Sequence, residues 1–557
     1  MRMNRRAALG VIGTGAVLPV AGLHAQQQAA QAAFLHGVAS GDPTTGGAVL
    51  WTRVTPADEA HAGAIPVTWH VAESEGGDPV KSGEAEARSA RDFTVKVEPA
   101  GLTAGKDYWY WFTLADGSTS PIGRFRTLPR GRTADAALAV VTCQLFLGGY
   151  YNAYDSIARL ERLDAVVHLG DYIYEYGADG YGAEIGARIG RRLEPEHEIV
   201  TLADYRRRHA WYKTDPMLQA AHARAAFICV WDDHETANDS WVNGAENHQP
   251  ETEGDWQARK AAALQAYFEW MPIRDPAPGN PWEAINRSFA FGDLATLMMV
   301  ETRLLARSEQ ADFKGATPTA DAIGRVLAVR NREDREMLGA PQREWLEQGL
   351  AQSVSAGVPW QILGNQVVMA RVAGPDVEQL FGKDRAAAMF AALPEATRQQ
   401  VMAAQAGYRA GLPFNLDSWD GYPAARERLY AGFRRAGSQP LVLAGDSHAF
   451  WANNLADAQG NPVAVEFGTS AISSPSIGDS LPEIPLGDLL AAANPEVELC
   501  DQRAKGYILL TLTPERAQAD YIAMSTIYEP RYTDHVLARF TVEAGEAGRK
   551  LHRVAAE

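Results

Sequence analysis

Ala136-Ala-Leu-Ala-Val-Val-Thr-Cys-Gln144, followed by Asp164-Ala-Val-Val-His-Leu-Gly-Asp171, is the stretch that decides the fold. Both runs are short, apolar and β-branched, the pattern of strands buried on two faces. Between them Ala153–Arg162 carries a helical pattern. Strand, helix, strand is a βαβ unit, which calls for parallel pairing and a covering helix. Similar apolar runs recur at Ala225–Trp231, Ala295–Val300, Trp360–Leu363, Pro440–Ala444 and Val463–Phe467, with helical and loop-rich segments between them. The Ala-rich stretch Ala386–Ala406 reads as helix and Ser473–Pro485 as loop. There is no convincing internal repeat. Residues 136–545 are therefore read as one α/β domain of mixed sheets flanked by helices.

Upstream the pattern changes. Residues 34–128 read as short strands between turns, among them Gly47–Arg53, Pro66–Val71 and Asp107–Thr113. Their alternation and aromatic content predict an all-β sandwich of the immunoglobulin or fibronectin kind. Gly101-Leu-Thr-Ala-Gly-Lys-Asp-Tyr108 resembles a tyrosine corner, so the aromatic ladder from Tyr108 to Trp111 reads as structural rather than as a sugar platform. Arg130–Asp135 is a polar link between the two regions. A chain of 557 residues exceeds one compact core, and two domains are the expectation.

The amino terminus reads as an export signal. Arg2, Arg5 and Arg6 precede an apolar run from Ala7 to Gly22, too short to span a bilayer comfortably, and Leu23-His24-Ala25 offers a cleavage site. The adjacent Arg5-Arg6 pair points to the twin-arginine machinery as an export partner and to a periplasmic or extracellular destination, with no membrane span in the mature protein. An uncleaved amphipathic tail is the alternative. Three cysteines, Cys143, Cys229 and Cys500, are too few for a disulfide framework, and the odd count leaves a thiol free. A net charge of −17 excludes the broad basic surface of a nucleic-acid scaffold. It does not exclude a phosphate-ester substrate, because bound metal ions supply positive charge locally.

The chemistry gathers at strand ends. Six predicted strands finish in polar residues: Cys143-Gln144, Gly170-Asp171, Asp232-Asp-His-Glu235, Glu301-Thr-Arg303, Asn365-Gln366 and Asp446-Ser-His448. Open α/β sheets bind ligands at the carboxyl ends of their strands, so these endings are expected to converge. Each also has a plain reading. Gly170-Asp171 alone serves equally as a turn and helix cap, but Tyr174 three residues on would share its face on a helical turn. Cys143 is either a small buried residue or, beside a metal, a thiolate ligand; Cys229 and Cys500 read as structural. His234 among three carboxylates suits protonation of a leaving group or a hold on a phosphate oxygen. Asn365 either offers an amide oxygen or caps a turn. Arg303 either clamps phosphate or pairs with Glu301.

Such residue types fit two-metal hydrolysis, in which one ion makes hydroxide from bound water and both neutralise phosphoryl oxygens. Thiolate, phenolate, carboxylate and imidazole together suit ferric iron; carboxylate and amide oxygens suit calcium or another divalent ion beside it.

Phe34-Leu-His-Gly-Val-Ala-Ser-Gly-Asp-Pro43 with Val49–Arg53, Val167-His-Leu-Gly-Asp-Tyr-Ile-Tyr-Glu175, Trp231-Asp-Asp-His-Glu235 with Asn238, and Leu443-Ala-Gly-Asp-Ser-His448 resemble PhoD-type alkaline phosphatases. The similarity runs from about residue 34 to about 540, and that family is related to the calcineurin-like metallophosphoesterases. The resemblance implies a β-sandwich before a metallophosphoesterase domain, phosphodiesterase and phosphomonoesterase activity, and ferric iron with calcium. It implies Cys143, Asp171 and Tyr174 as iron-side ligands, with Asp171 bridging. It puts Asp233 in the place of a metal-binding Asn and makes His234 the catalytic histidine. Asn238, Asp446 and His448 become the remaining ligands, not divided between ions. Glu301-Thr-Arg303 departs from the family's Asp-Thr-Arg followed by an aromatic, which weakens Arg303 as a catalytic group. Trp419-Asp-Gly-Tyr-Pro423 with Arg426 also looks familial.

The function expected is an exported phosphatase for phosphate acquisition. The rival class is a secreted surface- or glycan-binding protein with a vestigial centre. A serine hydrolase lacks its Gly-x-Ser-x-Gly elbow, and His234-Glu235 lacks the second histidine of a zincin.

Overall fold

The computed structural model describes residues 32–555 except 59, 316, 546 and 547, so the export signal expected at residues 1–25 lies outside the described residues. The N-terminal segment supplies β1 (Val38–Thr44), β2 (Gly47–Arg53), β3 (Ile65–Ala72), β4 (Pro79–Ala87), β5 (Thr94–Val97), β6 (Asp107–Leu114) and β7 (Gly123–Arg126). The remainder supplies β8 (Ala136–Val141), β9 (Ala165–His168), β10 (Ala226–Cys229), β11 (Arg287–Phe291), β12 (Ala295–Met299), β13 (Trp360–Gly364) and β14 (Leu441–Ala444). The last seven are β15 (Phe450–Ala456), β16 (Pro462–Gly468), β17 (Val497–Asp501), β18 (Gly506–Leu512), β19 (Arg516–Met524), β20 (Asp534–Glu543) and β21 (His552–Val554).

Strands β8, β9 and β10 are buried at every position and pair in parallel, as unbroken apolar runs require. They form the middle of a ten-stranded sheet ordered β21-β20-β19-β18-β8-β9-β10-β1-β2-β5. Strands β12, β13, β14 and β16 pair in parallel inside a second sheet of seven, ordered β11-β12-β13-β14-β16-β15-β17. One apolar core joins the two sheets, with Val140 and Val166 from the first and Leu297, Ile362 and Leu443 from the second. Helices Gly339–Ser355 and Pro423–Ala436 bury Leu346, Leu350, Leu429 and Phe433 against the second sheet.

The N-terminal segment differs from a free-standing sandwich. Only β4-β3-β6-β7 form a sheet of their own. β1, β2 and β5 are the rim of the ten-stranded sheet, with β1 parallel to β10. The layers share a core that includes Leu50, Val67, Phe112, Phe125 and Ala226. Alternation along a strand reports which faces are covered, but not which neighbour supplies the hydrogen bonds, so this continuity is invisible to it. Asp42 pins the junction: its carboxylate accepts from Arg287 Nε and from the Arg274 backbone N–H, each at 2.9 Å. The tyrosine corner is present, the Tyr108 hydroxyl accepting from the Thr103 N–H at 2.9 Å.

Helical boundaries shift for local reasons. Ala153–Arg162 becomes a helix at Asn152–Ala158. The stretch read as one helix over Ala386–Ala406 is two, Lys383–Ala391 and Glu395–Arg409, interrupted at Pro394, which has no N–H to donate. No helix among the described residues is long and apolar enough to cross a membrane.

Candidate metal centre

The strand-end loops carry the site, and their backbones are bent to do so. Cys143, Asp171, Asp446 and His448 all adopt positive φ, at 56°, 59°, 62° and 56°. Such residues are uncommon outside glycine, and their concentration at candidate ligands marks a shape held by function. Gly170 shows why the loops can meet. At φ 116° it lies so near the next loop that an added Cβ would fall 2.4 Å from that of Asp232.

These bends bring three overlapping groups of donor atoms together. Cys143, Asp171 and His448 form one, Asp171, Asp233 and His234 the next, and Asp232, Asp233 and Asp446 the third, with donors in each within 4.8 Å of one another. Asp171 belongs to two groups and Asp233 to two, so the set is continuous. The Tyr174 hydroxyl donates to Asp171 Oδ2 at 3.0 Å and lies 3.2 Å from His448 Nε2. Cys143 Sγ is 3.2 Å from the same carboxylate oxygen. His448 Nδ1 sits 2.5 Å from the Pro475 carbonyl, which fixes the ring with Nε2 toward Tyr174.

The donor set fits cations. Asp171 Oδ1, Asp232 Oδ2 and Asp233 Oδ1 are buried without hydrogen-bond partners. An orphaned buried carboxylate oxygen is costly, and acids gathered this closely call for positive charge, of which Arg303 supplies a part at 3.6 Å from Asp233 Oδ1. Burial, together with Asp233, Asp232 and Glu235, pushes Asp171 well above the usual carboxylate range despite His234 nearby. Burial and the carboxylates of Asp232 and Asp417 do the same to Asp446. Asp232 is pushed up to about 6 by burial, against the pull of Arg303. Burial would raise Asp233 also, but Arg303 and His234 outweigh it and hold this carboxylate below its ordinary value. Burial and Asp171 raise the Cys143 thiol well above its ordinary value, so a thiolate here requires a bound cation.

Above these buried atoms opens a pocket of 440 Å³ whose wall includes Asp233, His234, Asn238, Asp446 and His448. Cys143, Asp171 and Tyr174 are almost fully buried beneath it. The structure thus brings eight of the nine sequence-predicted site residues to the pocket or its floor; Arg303 stands behind them. Asn238 lies at the rim, its side-chain nitrogen donating to Glu246 at 3.1 Å.

Arg303 is the residue whose expected role changes. It is fully buried, and Nε donates to Asp232 Oδ1 at 2.5 Å while Nη1 donates to Asp417 Oδ1 at 2.8 Å. Nη2 adds ion pairs to Asp417 at 2.8 Å and to Asp233 and Asp446 at 3.6 Å. It makes no ion pair with Glu301, whose carboxylate instead accepts from the N–H groups of Arg303, Leu304 and Leu305. A guanidinium so enclosed serves as counter-charge for the acids, not as a phosphate clamp. Asn365 takes the turn reading: its oxygen accepts from the Trp419 indole at 3.0 Å and its nitrogen donates to the Val367 carbonyl.

Sequence reasoning missed three groups. Asp417 and Asp239 add carboxylates to the pocket wall. Asp239 directly follows Asn238, and Asp417 precedes the Trp419–Pro423 motif, so nearness to a motif was the available signal. The third is Glu175, buried, with Oε2 2.7 Å from His234 Nδ1 and Oε1 accepting from the Asn238 N–H and the Asn247 amide, each at 2.8 Å. This leaves Nε2 as the histidine's working nitrogen. Burial opposes a charge on His234, but the carboxylates of Asp233, Glu175 and Asp171 outweigh it and raise the ring well above its ordinary 6.5 in the metal-free protein. Glu175→Gln is expected to lower kcat about ten- to hundredfold with metal content near the parent's, as for other residues that orient a ligand or acid. Unchanged kcat in the metal-loaded variant would remove Glu175 from the mechanism.

The chain is similar to known proteins along most of its length. The chain matches the PhoD-like phosphatase family over residues 138–521 and that family's N-terminal domain over residues 20–129. It is 34% identical over 530 residues to alkaline phosphatase D of Bacillus subtilis (strain 168), a match covering 92% of this chain and 82% of that protein. A solved structure described as that of PhoD is similar with a TM-score of 0.77 and 32% identity, covering 95% of this chain and 93% of that one. With these matches running through every loop that carries the site, the chain belongs to the PhoD-like phosphatase family and is a phosphoric ester hydrolase.

Proposed function

We propose that this phosphatase is an exported, metal-dependent phosphodiesterase and phosphomonoesterase that serves phosphate acquisition outside the cytoplasm. The observation that carries the metal dependence is the gathering of the buried carboxylates of Asp171, Asp232 and Asp233 into overlapping donor groups, with Asp171 Oδ1 and Asp232 Oδ2 left without a hydrogen-bond or ion-pair partner. Ferric iron suits the corner of Cys143, Asp171 and Tyr174; calcium or another divalent ion suits the side of Asp233, Asn238, Asp446 and His448. When bound, the ions supply an acidified water as nucleophile and neutralise the phosphoryl oxygens. His234 donates its Nε2 proton to the departing ester oxygen or holds a non-bridging one, with Glu175 setting its orientation. Arg303 and Arg307 hold the surrounding acids in place; Arg307 Nη2 donates to the Asp417 carbonyl at 2.7 Å and touches its carboxylate.

The test is elemental analysis of native protein beside hydrolysis of bis-p-nitrophenyl phosphate before and after chelation. Iron and calcium are expected in the native material. Activity should fall about a thousandfold on their removal and return on reloading. Full turnover by metal-free protein would sink the reading. Export is tested by cell fractionation: replacing both Arg5 and Arg6 with lysine should strand the protein in the cytoplasm, and normal export would end the twin-arginine assignment.

A further inference from the structure

Beside the metal pocket lies a second cavity of 330 Å³ with a different character. Val401 and Ala404 of the helix Glu395–Arg409 form one wall, and Leu481, Ile484 and Leu489 form the other. Of its polar side chains, Gln405 is buried and already satisfied, its nitrogen donating to the Pro375 carbonyl at 2.8 Å and its oxygen accepting from the Val377 N–H at 3.0 Å, while Tyr408 adds a half-buried phenol to an otherwise mainly apolar lining. Thr397 and Gln400 are at its helical wall. The two cavities share Ile477 and Ser480 as walls. Ile477 is 53% exposed, a large aliphatic side chain at the wall of a pocket whose other lining is mostly polar, with Tyr176, Tyr181 and Pro475 beside the acids, histidines, amides and serines.

We propose that this chamber receives the unbranched alkyl chain of a substrate phosphodiester whose phosphoryl group occupies the metal pocket. The inference rests on the phosphodiesterase reading and names the substrate class of that site. A sugar or nucleobase carries several polar groups that lose their water on entry, and a chamber whose buried amide is already paired gives them little in return. An alkyl chain needs none. It gains from each methylene removed from water, and Ile477, which lines both cavities, gives it an apolar side chain to pass along. A concave, mainly apolar annex joined to a few polar groups is the ordinary form of a site that takes a small amphipathic ligand.

The test uses p-nitrophenyl alkyl phosphodiesters from methyl to octyl, kept below aggregation, with metal-loaded full-length protein. kcat/KM is expected to climb about two- to fourfold per methylene over the first several carbons and then level off as the chamber fills. Ala404→Trp, which fills the chamber, should flatten that climb. Ile477→Ser, at an exposed position that threatens no core packing, should reduce it. A flat chain-length series in the parent, or a climb that both variants leave intact, would overturn the inference. Failure to hydrolyse even the methyl ester, the shortest of the series, would instead overturn the phosphodiesterase reading.

Discussion

Asp171→Asn is expected to cost at least about a thousandfold in kcat/KM, roughly 4 kcal/mol, while making the metal-free protein more stable. The two effects have one cause. Asp171 is the carboxylate shared by the thiol-containing donor group and the group around His234, so its loss weakens both sides of the centre. Without cations the same carboxylate is a burden. Burial and its acidic neighbours raise its pKa well above the usual range. An acid whose folded pKa exceeds its unfolded value binds more protons folded than unfolded between the two. Stability therefore falls as pH rises through that window, and above it the ionised group opposes folding. Asparagine keeps the shape, removes the charge and accepts a backbone at φ 59° better than alanine would. The gain should be about 1–2 kcal/mol, the usual return for removing a strained functional group. Thermal melts of chelated protein at pH 8 and kinetics on bis-p-nitrophenyl phosphate measure both halves. Parental turnover in the metal-loaded variant, or a chelated variant melting below its parent, would contradict the account.

The sequence made the parallel strands and the site legible for the same physical reason. Strands buried on both faces must be apolar throughout, so β8, β9 and β10 stand out, and polar residues just past their ends have a known place to go. Cys143, Asp171 and the Asp232–Glu235 run were found this way. Edge partners were not legible. β1 reads as part of an N-terminal sandwich, and only its parallel register with β10 shows that it completes the larger sheet. The charge network was legible only in part. Arg303 stood out as a guanidinium near acids, but its destination depends on Asp417, more than a hundred residues later and brought in by a loop without strand periodicity. Glu175 lay inside a quoted motif, yet its partner His234 comes from another strand end. Local pattern shows where chemistry gathers; it does not show which charge faces which.

Arg303→Met tests the corrected role of that residue. The guanidinium is enclosed by Asp232, Asp233, Asp417 and Asp446, with its shortest bonds to Asp232 at 2.5 Å and Asp417 at 2.8 Å. Methionine fills much of the same space but leaves those carboxylates without their counter-charge. Removing one partner of a buried ionic cluster costs about 3–5 kcal/mol, and the metal-free variant should lose that much at pH 8. The deficit should shrink on acidification. Asp232, already raised to about 6 above an ordinary 3.8, destabilises the fold increasingly as pH rises through that interval and is relieved as pH falls through it. Loss of Arg303 moves this carboxylate higher still, which widens the window in which acid restores stability. Asp233 works in the other direction in the parent, where Arg303 helps hold it below its ordinary value and so adds stability above the unfolded pKa; the variant forfeits that share. Kinetics separate counter-charge from clamp. Loss of a phosphate clamp would raise KM roughly ten- to hundredfold, the worth of a charge-assisted hydrogen bond to substrate. Loss of a counter-charge should leave KM of the metal-loaded variant within about threefold of the parent and appear instead as lower stability and weaker retention of metal. A large rise in KM with unchanged melting would restore Arg303 to the catalytic surface, despite its enclosure.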